Sequence, residues 1–98
     1  MNQLPPIHPG EVLREEFMAP LKLSAGAIAR AVGVPRTRIE RLAAEQVDLS
    51  ADTALRLARL FGTSVEFWMS IQSRYAIERT SDSLRDELKQ IEPLKMPA

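Results

Sequence analysis

The sequence predicts an all-α chain: a five-helix domain with a helix-turn-helix inside it, followed by a short C-terminal amphipathic helix. Three observations predict it. Apolar residues recur at helical spacing in successive blocks of the chain. Ser24, Ser50 and the stretch Thr63-Ser64-Val65-Glu66 precede such blocks as N-caps, and Gly33 and Gly62 follow them as stops. The stretch from Ala25 to Ala44, AGAIARAVGVPRTRIERLAA, reads as a helix, a sharp turn and a second helix. Two steeply crossing helices need a small residue where they touch, and Ala29 fits. The turn needs a residue that tolerates positive φ, and Gly33 supplies it.

Taken in order, residues 1–8 carry Pro5 and Pro6 without helical period and read as a flexible or extended arm. Pro9 suits the first position of a first helix. Val12, Leu13, Phe17 and Met18 form its apolar side, Glu11, Glu15 and Glu16 its wet side, and Pro20 is expected to end it. The second helix spans roughly 24–32, with Ile28 and Val32 toward the core. After the Gly33-Val34 turn, a recognition helix of roughly 35–44 opens on Pro35, where a missing donor costs nothing. Ile39 and Leu42 form its buried stripe. Arg36, Thr37, Arg38 and Arg41 remain on the outside, where they suit phosphate oxygens and guanine edges. With Ser24, these are the candidate DNA-binding residues. On an isolated helix the same arginines would read as a solvated face paired with Glu40 and Glu45; the helix-turn-helix setting favours DNA.

A loop at 45–49 leads to Ser50 and a fourth helix of roughly 50–61. Asp52 suits its positive end, Ala54, Leu55, Leu57, Ala58 and Phe61 its buried side, and Arg56 and Arg59 its outer side. On a wheel, the apolar residues of the fifth helix, from Val65 to Ala76, cover roughly 200°, while packing on one core needs little over ~100°. The surplus predicts a homodimer, with Val65, Trp68, Met69 and Tyr75 at its interface and Trp68 and Tyr75 as anchors. Phe67 and Ile71 are left to the domain's own core. Thr80 to Ser83 is expected to break or kink the helix. Leu84, Leu88 and Ile91 then mark the short amphipathic helix, and the tail beyond Glu92 is expected to be disordered. The chain therefore divides into an arm at 1–8, a DNA-binding domain at 9–78 and a C-terminal helix and tail at 79–98.

Composition narrows the function. The chain has 98 residues and zero formal net charge, so bulk charge does not attract nucleic acid. Arg30, Arg36, Arg38 and Arg41 nevertheless fall within twelve residues, opposed in that window only by Glu40. The sequence contains no cysteine, which fits a reducing cytoplasm. No apolar run suggests a membrane span, and the N-terminus does not read as a secretory signal. His8 is the sole histidine and has no ligand partners beside it, so it reads as a local cap or surface residue, not a metal site. One histidine, no cysteine and no phosphate loop argue against an enzyme, and no cofactor is expected.

His8-Pro9-Gly10-Glu11, LREEF at 13–17 and Pro20-Leu21 resemble the opening of HigA antitoxins, within the lambda-repressor-like helix-turn-helix superfamily. The block ADTALRLARLFGTSVEFWMSIQSRY at 51–75 resembles the same family more closely, and the likeness covers about residues 7–78. The resemblance implies a homodimer that binds its own double-stranded operator DNA and neutralises a HigB-type toxin, a ribonuclease acting on translated mRNA. It carries the family's DNA-reading positions onto Arg36, Thr37, Arg38 and Arg41. The sequence departs from the family after the recognition helix. A Gly-Lys or Gly-Arg pair is common there, and this chain has Ala44-Glu45-Gln46-Val47-Asp48, which puts a loop–phosphate contact in doubt. The alternative is a stand-alone helix-turn-helix regulator without a toxin; a ribonuclease-like reading frame beside the gene separates the two.

Overall fold

The computed structural model describes residues 4–97. They form α1 (Pro9–Val12), a π-helical stretch (Leu13–Met18), α2 (Ala19–Leu21), α3 (Ala25–Val32), α4 (Arg36–Ala43), α5 (Ala51–Phe61), α6 (Val65–Ser83) and α7 (Arg85–Lys89). Among the described residues there is no strand.

The first three segments run on as one helix, which His8 starts. Its backbone is extended and its Nδ1 accepts the Gly10 N–H at 2.8 Å. The ring is buried and stands edge-on to Tyr75, 4.7 Å between centroids. Pro20 does not end this helix as predicted. The ladder before it is already widened, with the Ala19 N–H on the Arg14 carbonyl five residues back, and the helix carries Pro20 without needing its missing donor. The chain turns at Lys22, in the left-handed region at φ 55°.

Ser24 and Ser50 start their helices as predicted, and at α6 the cap falls on Ser64 instead of Thr63, where the capping-box spacing puts it. Ser24, Ser50 and Ser64 accept the N–H groups of Ala27, Thr53 and Phe67. The core gathers Leu13 from the π-helical stretch and Ile28, Ala29, Ile39, Leu42, Leu57 and Trp68 from α3 to α6. Trp68 is its largest member and fully buried. It meets Phe17 at 5.2 Å and Phe61 at 6.4 Å, and donates its Nε1–H to Thr63 Oγ1 at 2.8 Å.

Three further expectations are overturned. Leu55 is 56 % exposed and lies outside the core, because α5 turns Ala54, Leu57 and Ala58 inward. Thr80–Ser83 neither break nor kink the long helix. α6 continues through them to Ser83, the Leu84 N–H still reaches the Thr80 carbonyl, and the break falls at Leu84. The helix predicted at 84–91 shortens to Arg85–Lys89 and leaves Ile91 outside it. Residues 4–7 and 91–97 carry no helix or strand.

Candidate nucleic-acid interface

Local chemistry sets the angle between α3 and α4. Gly33 holds φ 76°, its N–H and that of Val34 both return to the Ala29 carbonyl, and Ala29 itself is buried at the crossing. Pro35 then leads into α4 with extended backbone and no side-chain cap. Ile39, Leu42 and Ala43 bury one side of α4. At about 100° per residue, Thr37 and Arg41 stand on the crest opposite that stripe, with Arg36 and Arg38 on its two shoulders. All four are exposed.

The shoulders behave differently. Arg36 leans toward α3: a Cβ added to Gly26 would lie 3.3 Å from Arg36 Cδ and 3.6 Å from Arg30 Nη1, so the two arginine side chains converge over the first turn of α3. Arg36 also pairs with Glu40 at 3.3 Å, the partner its sequence spacing offers, but the guanidinium side is 70 % exposed and the pair is weak. Arg38 leans the other way, toward α5. Its Nη1 donates to Asp52 Oδ1 at 2.8 Å. The same oxygen accepts Arg56 Nε–H at 2.7 Å, and Arg56 Nη1 donates to the Val32 carbonyl at 2.6 Å. The hydrogen bond from Arg56, with that from Arg38 behind it, holds the Asp52 carboxyl below the ordinary carboxylate range. A carboxylate with a lowered pKa contributes above its unfolded value and loses that contribution as pH falls through the folded one. Asp52 is therefore ionised at neutral pH and loses its charge only in acid. Arg41 makes no ion pair among the described residues, and Ser24 keeps its hydroxyl at the mouth of α3 as the helix cap.

A second arginine steadies the recognition helix from behind. Arg14 donates to the Ala43 carbonyl at the end of α4 and pairs with Glu45 at 3.2 Å, a cation where the helix dipole favours one. Its guanidinium pKa is raised, first by the hydrogen bond to Glu15 and then by Glu45. Gln72 Oε1 accepts the Leu49 N–H at 2.7 Å and ties the 45–50 loop to α6. Asp52, Arg56, Arg14 and Gln72 were not among the predicted site residues. Only the Asp52–Arg56 spacing of four residues was visible in the sequence; the rest are contacts between distant segments.

The predicted dimer residues are redistributed. Trp68 is overturned as an anchor, because it fills the centre of the domain. Val65 and Met69 pack on the same core. Tyr75 is half-buried under His8 and accepts a hydrogen bond from Arg79 at 3.0 Å. Phe67, assigned to the core, is instead 39 % exposed.

Known proteins share this arrangement. The helix-turn-helix family matches residues 13–68, more than half the chain. Antitoxin HigA-1 of Vibrio cholerae is 35 % identical over 89 residues, covering 91 % of this chain and 84 % of that protein. The chain belongs to the HigA family of helix-turn-helix proteins. Virulence-associated protein I of Dichelobacter nodosus is 47 % identical over 77 residues, covering 79 % of this chain and 71 % of that one. Among solved structures, Pseudomonas aeruginosa antitoxin HigA with the higBA promoter superposes with a TM-score of 0.88 at 42 % identity, covering 92 % of this chain and 99 % of that one. Antitoxin GraA in complex with its operator gives 0.89 at 37 % identity, covering 98 % of each. In this HigA-family chain the left-handed residue just past the recognition helix is Glu45, at φ 62°.

Proposed function

We propose that this chain is the DNA-binding antitoxin of a type II toxin–antitoxin module, which represses its own operon as a homodimer and neutralises a HigB-type ribonuclease. The observation that carries the DNA half is the crest of α4. Thr37 and Arg41 stand unburied on a helix fixed by Gly33, with Arg30 and Arg36 converging beside them. The fold around that crest is shared with GraA in complex with its operator and with the Pseudomonas HigA bound with the higBA promoter. Thr37 and Arg41 are the base-reading pair, and Arg36, Arg38 and Ser24 serve the flanking phosphates. The toxin half rests on the kinship with Antitoxin HigA-1. No helix is long and apolar enough to cross a membrane, and no group of His, Asp or Glu among the described residues is arranged for a metal.

The stand-alone regulator is the second reading, and relatives described only as uncharacterized HTH-type transcriptional regulators keep it open. An HTH-type transcriptional regulator of Escherichia coli is 32 % identical over 89 residues, covering 89 % of this chain and 79 % of that one. Co-expression with the neighbouring reading frame separates the two. A stable complex that suppresses growth inhibition by the neighbour supports the antitoxin, and operator binding with no co-purifying neighbour supports the regulator. For the DNA half, Arg41→Ala should weaken operator binding by about 1–3 kcal/mol and relax the preference at one base position. Unchanged affinity and preference would remove Arg41 from the interface.

A further inference from the structure

The bridge between α4 and α5 has a consequence for how the protein chooses among DNA sequences. We propose that Asp52 is a specificity-determining residue: it holds Arg38 on the α5 side of the recognition helix and so withholds that cation from phosphates until the duplex fits the crest of α4. The proposal rests on the DNA-binding role of α4.

The geometry makes Asp52 a holder and Arg38 the movable part. Arg56 is fixed at two points, Asp52 Oδ1 at 2.7 Å and the Val32 carbonyl at 2.6 Å, and it shares the α5 backbone with Asp52. Asp52 lies in the first turn of α5, where the helix dipole favours its negative charge. Arg38 reaches the carboxylate across the gap between helices by a single contact at 2.8 Å. Both partners of that contact are about half exposed, 42 % and 55 %, and exposed pairs of this kind hold weakly. A correctly seated phosphate can therefore take Arg38 from Asp52, whereas one offered in a poor register competes with a carboxylate already in place.

Binding to random sequence is governed by the number of phosphates neutralised, and each one adds about 0.9 to the slope of log affinity against log salt. On a chain of zero formal net charge, one cation given or withheld is a large share of that count.

The test compares wild type, Asp52→Asn, Asp52→Glu and the double variant Asp52→Asn/Arg38→Ala on operator and random-sequence duplexes across salt. Asp52→Asn should steepen the salt slope on random DNA by about one phosphate. Its affinity gain over wild type should then be about 3.5-fold larger at 50 mM than at 200 mM salt. The operator should gain less, so the ratio of the two affinities falls. Asp52→Glu should restore the ratio, and the double variant should abolish the gain. A merely structural Asp52 would lower affinity for both duplexes and leave the slope alone. Wild-type operator binding with an unchanged slope in a folded Asp52→Asn protein overturns the proposal alone, as does a gain that survives loss of Arg38. Wild type that fails to bind the operator overturns the DNA-binding role with it.

Discussion

Gly10 shows how a single missing side chain can set a packing distance. A Cβ placed there would fall 1.8 Å from the Leu42 carbonyl oxygen, so α1 sits against the backbone of α4 with no room between them. The HPGE motif thereby acquires physical roles for its first three members: His8 caps, Pro9 opens the helix and Gly10 makes the approach. Gly10→Ala must push the two helices apart, and no flexible side chain can give way. It is expected to lose about 3 kcal/mol or more, which for a domain of this size is a fall of roughly 12 °C or more in Tm. Gly26→Ala is the control. Its new Cβ would meet only movable side-chain atoms, Arg36 Cδ at 3.3 Å and Arg30 Nη1 at 3.6 Å, and a helical Ala recovers about 0.8–1 kcal/mol over Gly. Thermal melts of the two variants should differ widely. Coincident melts would show that α1 and α4 do not touch at Gly10.

At the scale of elements, four helix ends share one device. Lys22, Gly33, Glu45 and Gly62 all take left-handed backbone, and in each case the next residue's N–H returns five residues back, as Leu23 does to Met18 and Gln46 to Arg41. The two glycine ends were legible in the sequence, as were the starts at Ser24 and Ser50, because both depend on chemistry within one turn of chain. Lys22 and Glu45 were not, since neither residue favours that conformation and only the docking of the flanking helices imposes it. Trp68 was misplaced for a related reason. Cores and interfaces both use large aromatic residues, and what decided the matter was the arrival of Phe17 and Phe61 from elsewhere in the chain. The Arg38–Asp52 bridge was equally hidden, since the two lie fourteen residues apart on different helices. The strained ends can be tested. Lys22→Gly relieves about 1–2 kcal/mol of left-handed cost and forfeits about 0.4–1 kcal/mol through the unfolded chain, so a net gain of roughly 0.5–1 kcal/mol is expected. Glu45→Gly should gain less, because it also loses the exposed pair with Arg14, worth about 0.2–1 kcal/mol. Urea midpoints would rank wild type below Lys22→Gly, with Glu45→Gly between or level. A Lys22→Gly protein less stable than wild type would mean that Lys22 is not strained.

The whole molecule is too long for its own core. Its radius of gyration is 17.0 Å, where a compact chain of about 100 residues has about 13 Å. Every residue from 76 to 97 is exposed, so the far half of α6, α7 and the segment after it all lie outside the core. Ile77 is 61 % exposed, and a shallow groove of about 370 Å³ runs among Ala76, Ile77, Thr80, Leu84 and Leu88. A helical segment this short is marginal in water without something to pack on. We propose that the dimer surface, which the sequence places at Trp68, lies further along the chain, at Ile77 on α6 and at Leu84 and Leu88 beyond its end. A second copy laid on this strip would cover the apolar groove and fix two recognition helices relative to each other, as two half-sites about 34 Å apart require. Ile77→Glu should leave the domain around Trp68 folded, by circular dichroism, while sedimentation reports the mass of a single 11.0 kDa chain. Operator binding should fall by roughly a hundredfold as the second half-site is lost, and binding to an isolated half-site should be unchanged. Leu88→Glu, on α7, should act in the same direction. A dimeric Ile77→Glu protein with normal operator affinity would place the interface elsewhere, and if that protein had also lost the toxin, the strip would be the toxin's docking surface instead.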